Sequence, residues 1–191
     1  MLTILDGRMV SEKIGDKLGR EIKKLKVKPK LAIIQVGDLT ASNLYIKRKI
    51  AFADKIGVTV THLKFPDNFS QGDLIVEIER LNRDSGVYGI IVQLPLPSKL
   101  LKSEIVEVIA AGKDVDGLRS GSGFTPATAR GILSLLDNYK IKIAGKKVVV
   151  IGRSTLVGKP IALSLLSRGA TVTICHRQTQ NLAVETKLAD I

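Results

Sequence analysis

Tyr45 and Lys49 stand four residues apart in SNLYIKRK, a spacing that puts a phenol and an amine on one face of a helix while Lys47 and Arg48 point elsewhere. On composition alone Lys49 is one more solvated lysine and Tyr45 an edge-of-core residue. Gln93 changes that balance. It stands near the end of an otherwise apolar run, Gly89 to Leu94, just before Pro95 and Pro97, and an amide in such a place must find a partner or belong to a site. Ligands of open α/β sheets bind at those C-terminal strand ends. Asp114 and Asp116, in KDVDG, begin like a calcium loop, but Gly117 comes too early and the later carboxylate is missing, so no metal is expected.

A second candidate site lies in KVVVIGRSTLVGKP, residues 147–160. Val148 to Ile151 form a β-branched run without polar alternation, the pattern of a strand buried on both faces of a parallel sheet, and Gly152 ends it. From Val157 the pattern turns helical, with Ile161, Leu165 and Leu166 on one stripe and Pro160 in the first turn. Strand, tight loop and helix make a phosphate site. The helix start offers unpaired N–H groups, Gly152 permits close backbone approach, and Arg153 and Ser154 add side-chain donors. Gly152 and Gly158 match the dinucleotide fingerprint only loosely, and Pro160 after Lys159 sets aside a Walker A loop. The next strand, Thr171 to Ile174, leads into Cys175-His176-Arg177 where an NAD-binding protein tends to carry an acidic residue. Arg177 suits a 2′-phosphate, so NADP is the expected cofactor.

The elements that must position these groups alternate. An amphipathic helix is predicted over Gly7 to Lys26, with Val10, Ile14, Leu18, Ile22 and Leu25 on its apolar face, followed by a buried strand from Lys30 to Val36. A helix from about Ala41 to Ile56 stops at Gly57, Val58 to Phe65 alternates as a half-exposed strand, and Ser70 caps a helix carrying Leu74, Ile75, Ile78 and Leu81. Gly89 to Leu94 is the third strand, and another helix covers about Ser103 to Ala111. The glycine-rich SGSGFT, residues 120–125, marks the boundary, and a helix from Thr128 to Tyr139 is expected to bridge two lobes. The fold class is therefore α/β, an N-terminal parallel α/β domain over 1–122 and a Rossmann-like domain over 123–191. The second lobe carries two strands and reaches a third only near Leu188, whereas a doubly wound nucleotide domain needs more. The natural chain is therefore expected to continue past Ile191, or else the second lobe is an unusual minimal domain.

Composition narrows the partners. The 191 residues with 45% hydrophobic content support a real core, and the formal charge of +12 favours an anionic ligand. Aromatic residues make up only 4% and Trp is absent, which leaves few stacking platforms for nucleic acid. A lone cysteine, Cys175, forms no intrachain disulfide, and neither a leader pattern nor a membrane span is read, so no membrane association and a cytoplasmic setting are expected.

SNLYIKRK, VQLPLP, KDVDG and GRSTLVGKP, in this order and spread over essentially the whole chain, resemble the bifunctional methylenetetrahydrofolate dehydrogenase/methenyltetrahydrofolate cyclohydrolase family. The resemblance implies NADP-dependent oxidation of 5,10-methylenetetrahydrofolate and hydrolysis of the methenyl product to 10-formyltetrahydrofolate. It implies that Tyr45 stacks on the folate, Lys49 transfers protons, Gln93 positions and tunes Lys49, and Asp116 grips the pterin, with Val92 and Leu94 beside them. Gly152, Arg153, Ser154 and Arg177 fall on the family's cofactor positions, with Thr128 and His176 as neighbours. It also implies tetrahydrofolate substrates, polyglutamylated forms included, and a homodimer joined through the second lobe. Where the family carries Cys-Thr-Pro after the interlobe proline, this chain has Ala127-Thr128-Ala129. Two other readings share some of these features. A monofunctional dehydrogenase would lack a competent Lys49 and Gln93, and a basic nucleotide- or nucleic-acid-binding module would leave Tyr45, Gln93 and Asp116 unexplained.

Overall fold

The computed structural model describes residues 4–191. They form two compact units: Ser11–Phe124, and Thr125–Ile191 together with the described residues up to Val10. The Asp6 amide donates to the Tyr139 hydroxyl at 2.8 Å, one tie that groups the start of the chain with the second unit.

The unit Ser11–Phe124 is built on a three-stranded parallel sheet ordered β2-β1-β3, with β1 Lys30–Val36, β2 Thr59–Phe65 and β3 Val87–Val92. Helix α2, Thr40–Ile56, connects β1 to β2, and α3, Gln71–Arg83, connects β2 to β3. Both crossovers are the helical kind that parallel neighbours require. Alternation along β1 sorts its side chains to two faces. Ala32, Ile34 and Val36 pack with Leu74, Ile78 and Leu81 of α3 and with Ile105 and Val106 of α4, Lys102–Val108. Ile33 meets Ile46 of α2 and Ile91 of β3 on the other face. Ser70 caps α3 as expected, its Oγ accepting the Asp73 amide at 3.1 Å, and Gly57 ends α2 in the left-handed region, φ 86°. A 3-10 turn, Ala111–Lys113, then leads into KDVDG. The Lys113 ammonium spends three donors on the carbonyls of Leu81, Asn82 and Asp84, 2.7–3.0 Å away, which closes the C-terminal end of α3.

Two expectations for this unit need correction. Helix α1, Gly7–Ile22, ends a turn early, and Ile14 and Leu25 are exposed. The buried contact is made by glycine instead: a side-chain carbon on Gly15 would come within 3.1 Å of the Phe52 ring, and one on Gly19 within 3.7 Å of Ile56. The third strand also starts and stops two residues earlier than read, because its ladder with β1 opens at Lys30–Val87. Gln93 and Leu94 thus lie just past the strand, although the Gln93 amide still donates to Ile34 O at 2.8 Å.

In the second unit β4, Lys147–Ile151, and β5, Thr171–Cys175, pair in parallel. One face carries α5, Ala127–Asn138, and α6, Gly158–Ser167, through a core of Leu133, Leu136, Val148, Ile161 and Leu165. The strand β4 is not buried on both faces. Val148 is buried, Val149 and Val150 are half-buried, and Ile151 is 64% exposed, because both helices cover the same side. Leu166 likewise leaves the expected stripe at 57% exposed. The buried face of α6 runs through Gly158, Ile161, Ala162 and Leu165. Asp190 N donates to Lys147 O at 2.8 Å and Val149 N to Ile191 O at 2.9 Å, a strand-like start of pairing along β4. A short helix α7, Leu182–Lys187, follows β5 and has no counterpart in the sequence reading.

Candidate functional site

The first group of candidate residues gathers at the C-terminal end of the three-stranded sheet. Lys49 Nζ donates to Gln93 Oε1 at 3.1 Å. Gln93 Nε2 donates in turn to the Leu94 carbonyl at 2.7 Å, which fixes the amide so that its oxygen faces the amine. The two long side chains are half-buried. Tyr45, one turn before Lys49 on α2, is 58% exposed and presents its ring to solvent. A neutral amide orients the amine without neutralising it, and an uncovered ring beside it supplies a flat apolar surface.

Asp116 comes to the same sheet by another route. Asp114 bridges Ile90 in parallel register, so KDVDG runs beside β3 toward its end. Asp114 is buried, and its Oδ2 accepts the Arg119 amide at 3.0 Å while its carbonyl accepts the Gly117 amide at 3.1 Å. Gly117 takes φ 68°, the conformation that closes this turn. Val115 packs with the α2-side core because Gly89 leaves it room: a side-chain carbon on Gly89 would lie 2.8 Å from Val115 Cγ1. Asp116, half-buried, is held between these anchors. Val92 is placed differently from its neighbours. Its side chain belongs to the core on the α3 side of the sheet, so any contact it makes at the strand end is through its main chain.

In the second unit Gly152, Arg153, His176 and Arg177 line one cavity of about 500 Å³ with Ile151 and Leu182. The Gly152 amide donates to Cys175 O at 2.7 Å, tying the end of β4 to the end of β5, and Gly152 takes φ 124°. Arg153 donates to Gln178 Oε1 at 3.1 Å. The imidazole of His176 accepts the Gln178 amide on Nδ1 at 3.2 Å, which leaves the neutral ring protonated on Nε2. Ser154 corrects the expectation of open helix amides. Its Oγ accepts Val157 N at 3.2 Å and Gly158 N at 3.3 Å, and its carbonyl accepts Lys159 N at 2.9 Å. The residue at the N-cap, Val157, has no capping side chain, so the serine three residues earlier takes that role and keeps only its hydroxyl hydrogen to offer. Thr128 stands exposed in the first turn of α5 and is not among the residues lining the cavity.

A cavity bounded by two arginines, a glycine-terminated strand and a second strand end fits an anionic dinucleotide. Sequence reasoning passed over Gln35 in β1, a buried amide within the apolar run KLAIIQV. Its signal was the one that singled out Gln93.

Residues 5–116 match the model described as tetrahydrofolate dehydrogenase/cyclohydrolase, catalytic domain, and residues 126–191 match the NAD(P)-binding domain of the same family. The bifunctional protein FolD of Lactobacillus gasseri is 44% identical over 203 residues, covering 100% of this chain and 72% of that protein. Among solved structures, the bifunctional FolD methylenetetrahydrofolate dehydrogenase/cyclohydrolase of Campylobacter jejuni superposes with a TM-score of 0.97 at 39% identity, over 100% of this chain and 72% of that one. The Trypanosoma brucei N5,N10-methylenetetrahydrofolate dehydrogenase-cyclohydrolase, solved with NADP cofactor and inhibitor, gives 0.91 at 30% identity, over 98% of this chain and 69% of its own. The chain therefore belongs to the tetrahydrofolate dehydrogenase/cyclohydrolase family.

Proposed function

We propose that the chain oxidises 5,10-methylenetetrahydrofolate to the 5,10-methenyl form with NADP and hydrolyses that product to 10-formyltetrahydrofolate. The observation that carries this reading is the Lys49–Gln93 hydrogen bond at the end of β3 in a chain of this family. The hydride-accepting chemistry would be supplied by bound NADP. The chain's own part in that step is to bind and orient, since hydride transfer needs no acid or base.

Hydrolysis does need one. Water adds to the cationic methenyl carbon and Lys49 takes one of its protons, leaving a neutral carbinol; that proton passes to N5 as the carbon–N5 bond breaks, and the carbinol O–H proton leaves to solvent as the formyl C=O forms. Gln93 aims the amine, and its own amide cannot flip without losing both of its hydrogen bonds. Tyr45 offers the ring on which the folate stacks, Asp116 receives the pterin edge, and Leu94 and the main chain of Val92 complete that side. In the second unit Gly152, Arg153, Ser154, His176 and Arg177 hold the dinucleotide. The role of Thr128 rests on the resemblance alone.

We assign folate chemistry to residues 1–122 and dinucleotide binding to 123–191. A homodimer acting on polyglutamylated folates in the cytoplasm, with no nucleic acid or membrane partner, completes the reading. The test is an assay of this chain with 5,10-methylenetetrahydrofolate and either NADP or NAD, following dinucleotide reduction and the absorbance of the methenyl species. Formation and decay of that species with NADP preferred is the expected result. Absence of folate turnover together with salt-sensitive oligonucleotide binding would overturn it.

A further inference from the structure

The α2 side of the sheet carries a second set of polar side chains that the chemistry above does not use. Gln35 is 2% exposed, and every hydrogen bond of its amide has a defined sense. Nε2 donates to Gly37 O at 3.0 Å and to Asn43 Oδ1 at 2.7 Å. Oε1 is left to accept from His62 Nε2 at 2.9 Å. Asn43 Nδ2 then donates to Asp38 Oδ1 at 2.7 Å, and Lys64 Nζ donates to the same oxygen at 2.6 Å. The bonds thus run in one direction, from His62 on β2 through β1 to the first turn of α2 and on to Asp38.

Helix α2 has a particular need of such an anchor. The residue at its N-cap is Leu39, which makes no side-chain capping bond, so the start of the helix has no capping acceptor of its own. Lys49 holds the same helix to Gln93, just past the end of β3. Gln35 is the buried member of this network, and a buried amide whose bonds are all met in one arrangement specifies that arrangement.

We propose that Gln35 and Asn43 are positioning residues for Lys49: the directed chain of amides sets the rotation and axial placement of α2, and with it the aim of the amine at Gln93. Hydrophobic contact alone would not do this, because Ile46 can slide over Ile33 and Ile91 without losing an oriented bond. The kinetic consequence rests on the function proposed above. The structural consequence does not.

The test is a pair of variants of the full chain. Asn43→Asp keeps the acceptor for Gln35 but sets a second carboxylate against Asp38. Adding Asp38→Asn restores a donor opposite an acceptor, with the sense of that one bond reversed. In the single variant, cyclohydrolase kcat falls about tenfold, the size of loss that a sub-ångström misplacement of a reacting group brings, while NADP affinity holds. Amide hydrogen exchange over residues 40–49 rises, and the double variant returns both readouts toward the parent. Asn43→Ala, which cuts both bonds at an exposed position, gives the same loss and guards against misfolding of the charged variant. Parental cyclohydrolase activity in Asn43→Asp and Asn43→Ala overturns the proposal, as does a loss that Asp38→Asn leaves unrepaired. If the parent chain turns over neither folate, the functional reading fails on its own, and hydrogen exchange still decides whether the amide chain holds α2.

Discussion

Gly158→Ala puts one methyl group at the tightest point of the dinucleotide loop. The added carbon would lie 2.6 Å from the Gly152 carbonyl carbon, 2.9 Å from Arg153 N, and closer still to the Gly152 oxygen. Carbon contacts are comfortable at about 3.5–4.0 Å, so the main chain at Gly152 and Arg153 must retreat by about 1 Å. Both neighbours are backbone, and neither can swing aside as a side chain would. Overpacking of this kind costs about 1–3 kcal/mol, and the gain of alanine over glycine within a helix returns at most about 1 kcal/mol. The net loss, at most about 3 kcal/mol, lowers Tm by up to roughly 12 °C for a chain of this size. The larger effect falls on the cofactor, because a shift of about 1 Å in groups that orient a ligand is worth up to about 100-fold. Calorimetric titration with NADP should show roughly 10–100-fold weaker binding, with the folate side of the chain unaffected. Binding within about threefold of the parent would refute the argument from close approach. Gly152→Ala serves as the contrast: no atom lies within 4 Å of its added carbon, so its cost comes only from holding φ 124°.

Lys49→Met removes the proposed proton carrier while leaving Gln93 able to bond water. Hydrolysis of the methenyl substrate should fall by about 100- to 10,000-fold, with stability in urea within about 1 kcal/mol. Activity within about tenfold of the parent rules the role out. Arg177→Ala should reduce the ratio of kcat/KM for NADP over NAD by about tenfold, the worth of one exposed charged hydrogen bond. An unchanged ratio counts against a 2′-phosphate contact. Stability should also fall on acidification, in two stages. Burial, then the Lys64 ammonium, holds His62 below its ordinary value of 6.5, so the unfolded chain takes that proton first and stability declines as pH drops below 6.5. Asp38 is held below 3.8 by the Lys64 hydrogen bond, and the amides of Gly86, Ser120 and Lys147 hold Asp84, Glu107 and Asp190 below their ordinary values. Their contribution is present above those ordinary values and is lost as pH falls through the depressed ones. Urea midpoints measured from neutral to strongly acid pH check this, and a midpoint that rises on acidification reverses the sign.

Much of this was legible in the residues. The bounds of β1 follow from an apolar run between a lysine-rich segment and Gly37, and Ser70 announces its helix because a hydroxyl just before a helical run can accept a first-turn amide. Gln93 could be found because an amide in an apolar run needs a partner. The same logic applied to Gln35 and went unused, since no neighbouring motif drew attention to it. Strand alternation would have separated Val92 from Gln93, because consecutive side chains face opposite sides of a sheet. Other features needed coordinates. Hydrophobic periodicity marks which side chains can be buried, so it favoured Ile14 and Leu25 and missed that glycines make the close approach between α1 and α2. It placed Leu166 one residue beyond the buried stripe for the same reason. The direction of the Ser154 hydrogen bonds is invisible in a string of letters, because a hydroxyl is both donor and acceptor.

Lys113, with its ammonium shared among three carbonyls, has a consequence for ligand entry. It pins the end of α3 directly before the turn that carries Asp116, and Asn82 adds a bond to Val108 O and another from the Ala110 amide. These bonds lie where α3 leads into β3, at the far end of the strand from Gln93, and they fix the base from which KDVDG runs beside β3 toward the candidate site. A guest that meets Asp116 forfeits little freedom on that side. Under the proposed function, the ordering that binding still demands falls on the exposed ring of Tyr45.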